Sequence, residues 1–369
     1  MFDELSAVER ELREEANQSP NARDTSFPLI QAHVSAPSLA DNKRQPQRHS
    51  SVFEEWGKDL PGFRLGDEIG RGATGVVFKA LDLQLDRTVA IKLLSDSFSV
   101  ASMSFRLIRR EARAISQLQH EGIVQIYRVG EKDGIPYLVL EWIDGRSLDQ
   151  QPEFHSQIAP WAVHVVRQLA SALSYAHSQG VIHRDLKPAN ILMRKVRVDA
   201  PMATIGVSNK AAVITDFGLS KLLNDPETIS GRKTTFGTPA YMSPEQAEGN
   251  TFDATPASDV YSLGAILYEI LSGRPPFQAE SDLATIRKVV TDSPKRLKRI
   301  RPDLPAELEE VCMTCLEKKP TSRFHSMQEL SQALAGYEFR RYKKPAFRSG
   351  GALHRLFSIA SFYRSSSRA

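Results

Sequence analysis

The chain has 369 residues, 25% of them charged and 41% hydrophobic, a balance that excludes fibrous, collagen-like and wholly disordered classes. Its formal net charge is +4, yet residues 340–369 hold eight Lys or Arg and no acid, which leaves 40 basic against 44 acidic residues in 1–339. A body of that sign excludes a protein that coats nucleic acid through general basicity, so no specific nucleic-acid partner is expected.

Residues 1–16 place Phe2, Leu5, Val8 and Leu12 on one helical face, a short amphipathic helix. Residues 17–60 are rich in Ser, Pro, Asn, Gln and Arg without periodicity, so 1–62 reads as a flexible extension. The start, Met1-Phe-Asp-Glu-Leu, is acidic and lacks the apolar run of a signal peptide. No window of about 18 apolar residues exists, the nearest being Val260 to Leu271, which holds Glu269. A cytoplasmic protein without a transmembrane segment is expected. From Phe63 to about Leu94 apolar residues alternate among glycines, which predicts strands. Met103 to Gln119 turns helical, with Phe105, Ile108, Ala112, Ile115 and Leu118 on one face. Strands are predicted at Ile123 to Val129 and Tyr137 to Trp142. Helices are predicted at Ile158 to Gln179, Asp259 to Ser272, Ser281 to Val290, Ala306 to Glu317 and Ser326 to Ala335. Cys312 and Cys315 fall on the apolar stripe of the fourth of these helices, without a second Cys or His pair at zinc spacing, and read as free core cysteines. The pattern predicts an α+β fold of two lobes: a small β-rich N-lobe with one helix, and a larger, mainly helical C-lobe.

Three constellations carry chemistry. The first is Ile69-Gly70-Arg71-Gly72-Ala73-Thr74-Gly75-Val76-Val77. Three glycines at this spacing let backbone amides approach phosphates, but they also make ordinary hairpins. The β-like residues that follow separate this run from a dinucleotide turn, which opens a helix. The second is Val89-Ala90-Ile91-Lys92-Leu93, where a strand puts Ala90 and Lys92 on one face, a cation beside space for a flat ligand or merely a solvated lysine. Glu111 sits on or beside the apolar stripe of its helix and needs a cation there, for which Lys92 is the candidate. The third is His183-Arg184-Asp185-Leu186-Lys187-Pro188-Ala189-Asn190, followed by Ile214-Thr215-Asp216-Phe217-Gly218. Phosphoryl transfer needs a carboxylate to take a hydroxyl proton and oxygen ligands for Mg²⁺, and two Asp and one Asn in loops beside short strands supply them.

In this order, these runs resemble the eukaryotic-type (Hanks-type) protein serine/threonine kinases, in their bacterial form. The resemblance implies a kinase domain over 63–335, with an N-lobe over about 63–143, a C-lobe over about 144–335, and a basic, flexible tail over 336–369. It implies that Ile69 to Val77 cover the ATP phosphates, that Ala90 and the hinge Glu141 to Ile143 hold the base with Leu140 behind it, and that Lys92, paired with Glu111, binds the α and β phosphates. Asp185 would accept the hydroxyl proton, Lys187 would neutralise the moving phosphoryl group, and Asn190 and Asp216 would hold Mg²⁺, with Mn²⁺ as a substitute. Ser243-Pro244-Glu245 resembles the end of the activation segment, Asp259 the anchor of the catalytic loop, and Arg323 the partner of Glu245. Thr238 would hydrogen-bond near Asp185 and Lys187.

The implied activity is transfer of the ATP γ-phosphoryl group to Ser and Thr of proteins, including the chain's own activation segment. Two rivals are a catalytically silent pseudokinase scaffold and a small-molecule phosphotransferase, and the complete activation segment speaks against the second. Asn190 and Asp216 stand 26 positions apart, about twice the family's usual gap, so a basic loop near 195–210 is expected to bulge from between them. Arg184 before the catalytic aspartate implies activation by phosphate in the segment. Thr228, Ser230, Thr234 and Thr235 are the candidates, Thr234 and Thr235 preferred. The segment implies protein substrates, and autophosphorylation implies self-association. The tail interleaves Phe347, Leu353, Leu356, Phe357, Ile359 and Phe362 with basic residues, a composition of flexible tails that also suits an anionic membrane surface or an acidic partner.

Overall fold

The computed structural model describes residues 60–72, 74–94, 103–156, 158–195, 210–217, 238–249 and 254–343. All belong to one compact unit, 53–369; the other, 1–52, and with it the expected helix over 1–16, lies outside the described residues. Strands β1 (Phe63–Gly72), β2 (Gly75–Asp82), β3 (Arg87–Leu94), β4 (Ile126–Lys132) and β5 (Ile135–Glu141) form one antiparallel sheet in the order β1-β2-β3-β5-β4. Helix α1 (Met103–Ser116) lies between β3 and β4 in sequence and buries Ala112 and Ile115. The β2–β3 turn is fixed by Asp82, whose Oδ1 accepts from the amides of Gln84 at 3.1 Å and Leu85 at 3.3 Å.

A second, three-stranded antiparallel sheet, β6 (Gly145–Ser147), β7 (Ile191–Lys195) and β8 (Lys210–Ile214), opens the helical part. Its longer helices are α2 (Ala159–Ser178), α3 (Pro256–Ser272), α4 (Asp282–Thr291), α5 (Ala306–Cys315) and α6 (Met327–Lys343). In α3 every residue from Ser258 to Tyr268 is buried, so it is the central rod of the C-lobe. It starts three residues before the predicted Asp259, because Pro256 occupies its first turn and Ser258 Oγ accepts from the Thr255 amide at 3.2 Å. Both cysteines on α5 are free and buried.

Two boundaries differ from expectation. The apolar run Ile123 to Val129 is divided between the sheets. Ile123 makes a parallel bridge to Ile214, with Val124 N donating to Ile214 O at 2.9 Å, and only from Ile126 does the chain join β4. Alternation marks an extended run without saying which neighbour pairs with it. Helix α6 runs past the predicted Ala335 to Lys343: one glycine, Gly336, costs a helix only about 1 kcal/mol, and the first strong stop is Pro345. Among the described residues no helix is long and apolar enough to cross a membrane.

Candidate active site

The site is built where Lys92 of the first sheet meets Asp216, two residues past the last strand of the second. Register sets Ala90 opposite Leu140, and Lys92 opposite both Leu138 and Val77, so Val77, Ala90, Lys92, Leu138 and Leu140 share one face. Ala90, Leu140 and Ile143 are buried, while Ile69 at the glycine hairpin is 48% exposed. Val76 pairs with Arg71 and Gly75 with Gly72 to close that hairpin; Ala73 lies outside the described residues, and Thr74 is at its turn. Gly75 is obligatory: its φ is +140° and a Cβ there would lie 1.9 Å from the Leu93 carbonyl oxygen. A Cβ on Gly70 or Gly72 would instead meet only open space. The Arg71 guanidinium bonds Glu68 at the surface.

Lys92 is only 2% exposed, and its Nζ donates to Asp216 Oδ1 at 2.8 Å. This corrects the expected pairing with Glu111, since among the described residues no hydrogen bond or ion pair joins Glu111 to Lys92. The physical reason is exposure. A buried ammonium must have a carboxylate, and Asp216 supplies it, whereas Glu111 keeps part of its surface in water. Enclosure alone would push the Asp216 carboxyl up. The Lys92 ammonium, through its charge and its hydrogen bond, outweighs it, with Lys187 beyond, and holds the group below the ordinary range.

Across from this pair, Lys187 Nζ donates to Asp185 Oδ2 at 2.9 Å, and Asn190 Nδ2 donates to Asp185 O at 2.8 Å and Oδ2 at 3.2 Å. Thr215 N donates to Asn190 O at 2.9 Å. His183 receives the Asp185 amide at Nδ1 (3.2 Å) and lies 2.9 Å from Thr215 O through Nε2, so the Nε2–H tautomer satisfies both contacts. A continuous hydrogen-bonded path thus joins Asp185, through Asn190 and His183, to the residue before Asp216. Its use of Nδ2 leaves Asn190 Oδ1 without a donor among the described residues, as is Asp216 Oδ2. Those two oxygens are hard ligands of the kind Mg²⁺ takes, and the donor set fits a divalent cation.

The loop is anchored from below. Asp259, fully buried, accepts from the amides of His183 and Arg184, each at 2.9 Å, and bonds His177 Nε2 at 2.7 Å. Burial alone would raise its carboxyl; the hydrogen bonds from His177 and from the His183 amide hold it low. Arg184 has φ +67° and Asp216 φ +63°, a region costly for arginine that this anchoring enforces. Arg323 engages Glu245 through Nη1 and Nη2, both at 2.8 Å, and gives its remaining donors to the carbonyls of Glu317, Lys318 and Ala257. Gln246 Nε2 donates to Arg184 O at 2.7 Å, joining the helix turn after Ser243 to the loop that holds Asp185. Thr238 departs from expectation: it is exposed, and among the described residues no bond joins its side chain to Asp185 or Lys187, whose contacts are made with each other. Thr234 and Thr235 lie outside the described residues.

Sequence reading missed His177, whose only signal is its place at the last turn of a helix leading into His183, and Arg194. The Arg194 guanidinium bonds Glu141 Oε1 at 2.6 Å, and no motif marks it.

Comparison with known proteins agrees with this geometry. The family described as "Protein kinase domain" matches residues 63–334. The serine/threonine-protein kinase PknB of Mycolicibacterium smegmatis is 36% identical over 274 residues, 73% of this chain and 41% of that protein. The serine/threonine-protein kinase PrkC of Bacillus subtilis is 35% identical over 276 residues, 74% of this chain and 40% of that protein. The chain thus spans about two fifths of the length of these relatives. The crystal structure of the Mycobacterium tuberculosis PknI kinase domain, 24% identical, superposes with a TM-score of 0.56 over 76% of this chain and 98% of that one, which establishes the fold. With the family match spanning most of its length and a Lys, two Asp and an Asn gathered between two lobes, the chain belongs to the protein kinase family, with bacterial serine/threonine kinases among its relatives.

Proposed function

We propose that this chain is a protein serine/threonine kinase that moves the γ-phosphoryl group of ATP to Ser or Thr hydroxyls of proteins, its own activation segment included. The observation that carries the reading is the bonded path from Asp185 to Asp216 and Lys92, which gathers a proton acceptor, two cation-type oxygens and a phosphate-type cation in one place.

Protein kinases use ATP and a divalent metal ion. We assign Mg²⁺ to Asn190 Oδ1 and Asp216, with Mn²⁺ as a substitute; when bound, the ion would screen the charge on the phosphates. The open space above Gly70 and Gly72 leaves the hairpin amides free to approach phosphate oxygens. Ala90 and Ile143 flank the base, and the backbone of Glu141 to Ile143 meets its edge. The incoming hydroxyl oxygen bonds to Pγ, the bond from Pγ to the bridging oxygen of ADP breaks, and Asp185 takes the hydroxyl proton. Lys187, already against Asp185, offsets charge on the moving group.

We assign the switch to phosphate on Thr234 or Thr235, received by Arg184. Its Nε is buried and has no hydrogen-bond partner among the described residues, and an anion would satisfy it. Autophosphorylation implies self-association; the basic tail suits an anionic membrane surface or an acidic partner, and the remainder of the chain a cytoplasmic protein.

The test is purified chain with γ-labelled ATP, a general protein substrate and phosphoamino-acid analysis. Phosphoserine or phosphothreonine is expected, with the rate falling about 10²- to 10⁴-fold in Asp185→Asn. Label absent from every protein, with nucleotide still bound, would establish the scaffold instead.

A further inference from the structure

The segment Glu141 to Gly145, which carries the chain from β5 to β6, is held at both ends by one residue of β7. Arg194 pairs through its backbone with Gly145 in the β6–β7 ladder. Its side chain reaches back along the segment, and Nη2 donates to Glu141 Oε1 at 2.6 Å. Both side chains are partly enclosed, at 31% and 26% exposure, which strengthens a charge-assisted bond relative to one in open water. The far end has no slack: a Cβ on Gly145 would lie 2.2 Å from the Met193 carbonyl oxygen, so the segment is pressed onto β7. Lys195 N adds a bond to Asp144 O at 3.4 Å.

The near end is tied to the first sheet as well. Glu141 N donates to Gln125 O at 2.9 Å, and Glu141 Oε2 accepts from Gln125 N at 3.4 Å. Gln125 in turn donates through Nε2 to Ser116 O, the last residue of α1, at 3.1 Å. Trp142 lies under the Lys79 ammonium of β2, 4.9 Å from the ring centre. Glu141 is therefore the point where β5, α1 and β7 meet, and Arg194 is its only contact with the second sheet through a side chain among the described residues.

We propose that Arg194 is a positioning residue for nucleotide affinity: by gripping Glu141 and Gly145 together it fixes the length and tilt of the connecting segment whose backbone receives the base. Arg194 makes no contact with the nucleotide and acts through Glu141. The inference rests on the assignment of residues 141–143 to base recognition under the proposed function.

The test is titration of Mg²⁺ and a non-hydrolysable ATP analogue into the full chain, alongside kcat and KM for ATP. Arg194→Ala should weaken analogue binding and raise KM for ATP about 3- to 30-fold, with kcat at saturating ATP and the unfolding midpoint of the free protein nearly unchanged. Arg194→Lys, which keeps the cation, should recover most of the affinity. In a Glu141→Gln background Arg194→Ala should add little, because the two act as a pair. Unchanged affinity in Arg194→Ala overturns the proposal, as does equal loss in the two backgrounds. So does a fall in kcat and unfolding midpoint without a KM change, which marks a merely structural role. Wild-type chain that binds no analogue sinks the base-site assignment itself, a result distinct from all of these.

Discussion

The two halves of the site are held by different physics. Under the catalytic loop, Asp259, Glu245 and Arg323 are enclosed and multiply bonded, with Arg323 using all its donors. On the opposite side, the glycine hairpin is open, Ile69 is half exposed, and the Arg71–Glu68 pair lies in solvent. The lower half is a fixed frame that sets where Asp185 points. The tip of the upper half is exposed although its strands are closely paired, and exposed segments of low local stability are the ones that serve binding. Lys92 bridges the two: it stands on the upper sheet, yet its partner, Asp216, follows the last strand of the lower one.

The contrast breaks most visibly in the frame. Arg323→Met leaves Glu245 half-enclosed without its cation and should cost about 3 to 5 kcal/mol in unfolding free energy, read by denaturant titration. Asp259→Ala removes three bonds at once and strands the amides of His183 and Arg184. A loss of about 2 to 4 kcal/mol is expected, with activity falling further than stability alone explains. In the upper half, Gly75→Ala should cost about 1 to 3 kcal/mol through the clash with Leu93 and the positive φ, whereas Gly72→Ala, into open space, should leave the unfolding midpoint nearly unchanged. If both glycine variants unfold alike, the hairpin is as tightly packed as the frame and the comparison fails.

The smallest effect is a pH slope away from the site. Lys318 donates to Val289 O and lies 4.2 Å from the Phe277 ring centre, and burial depresses its pKa from 10.5 to about 8. Between those values the unfolded chain binds more protons than the folded one, so stability contributed by this group rises with pH across the interval and is flat below it. Lys318→Met should flatten that slope in thermal melts between pH 8 and pH 10.

Much of this was legible in the sequence, for reasons that differ by residue. Asp185, Lys187, Asn190 and Asp216 are readable because loops between short strands concentrate unusual polar residues at fixed offsets. The Glu245–Arg323 pair came through the family resemblance, though 78 positions separate them. The partner of Lys92 was misjudged because chain pattern tells which side chain needs a charge and not which of two carboxylates lies nearer in three dimensions. The division of Ile123 to Val129 between two sheets escaped for the same reason: alternation has no term for the neighbour. No motif marks Arg194, because its bond to Glu141 depends on β6 pairing with β7.

The most direct test of the central claim, that Lys92, Asp185, Asn190 and Asp216 grip one magnesium nucleotide, is calorimetric titration of a non-hydrolysable ATP analogue with Mg²⁺ or with a chelator. Wild-type chain should bind the analogue more tightly with Mg²⁺, and Asp216→Asn should lose that gain while remaining folded. Affinity that is the same with chelator as with Mg²⁺, and the same in Asp216→Asn as in wild type, would contradict it.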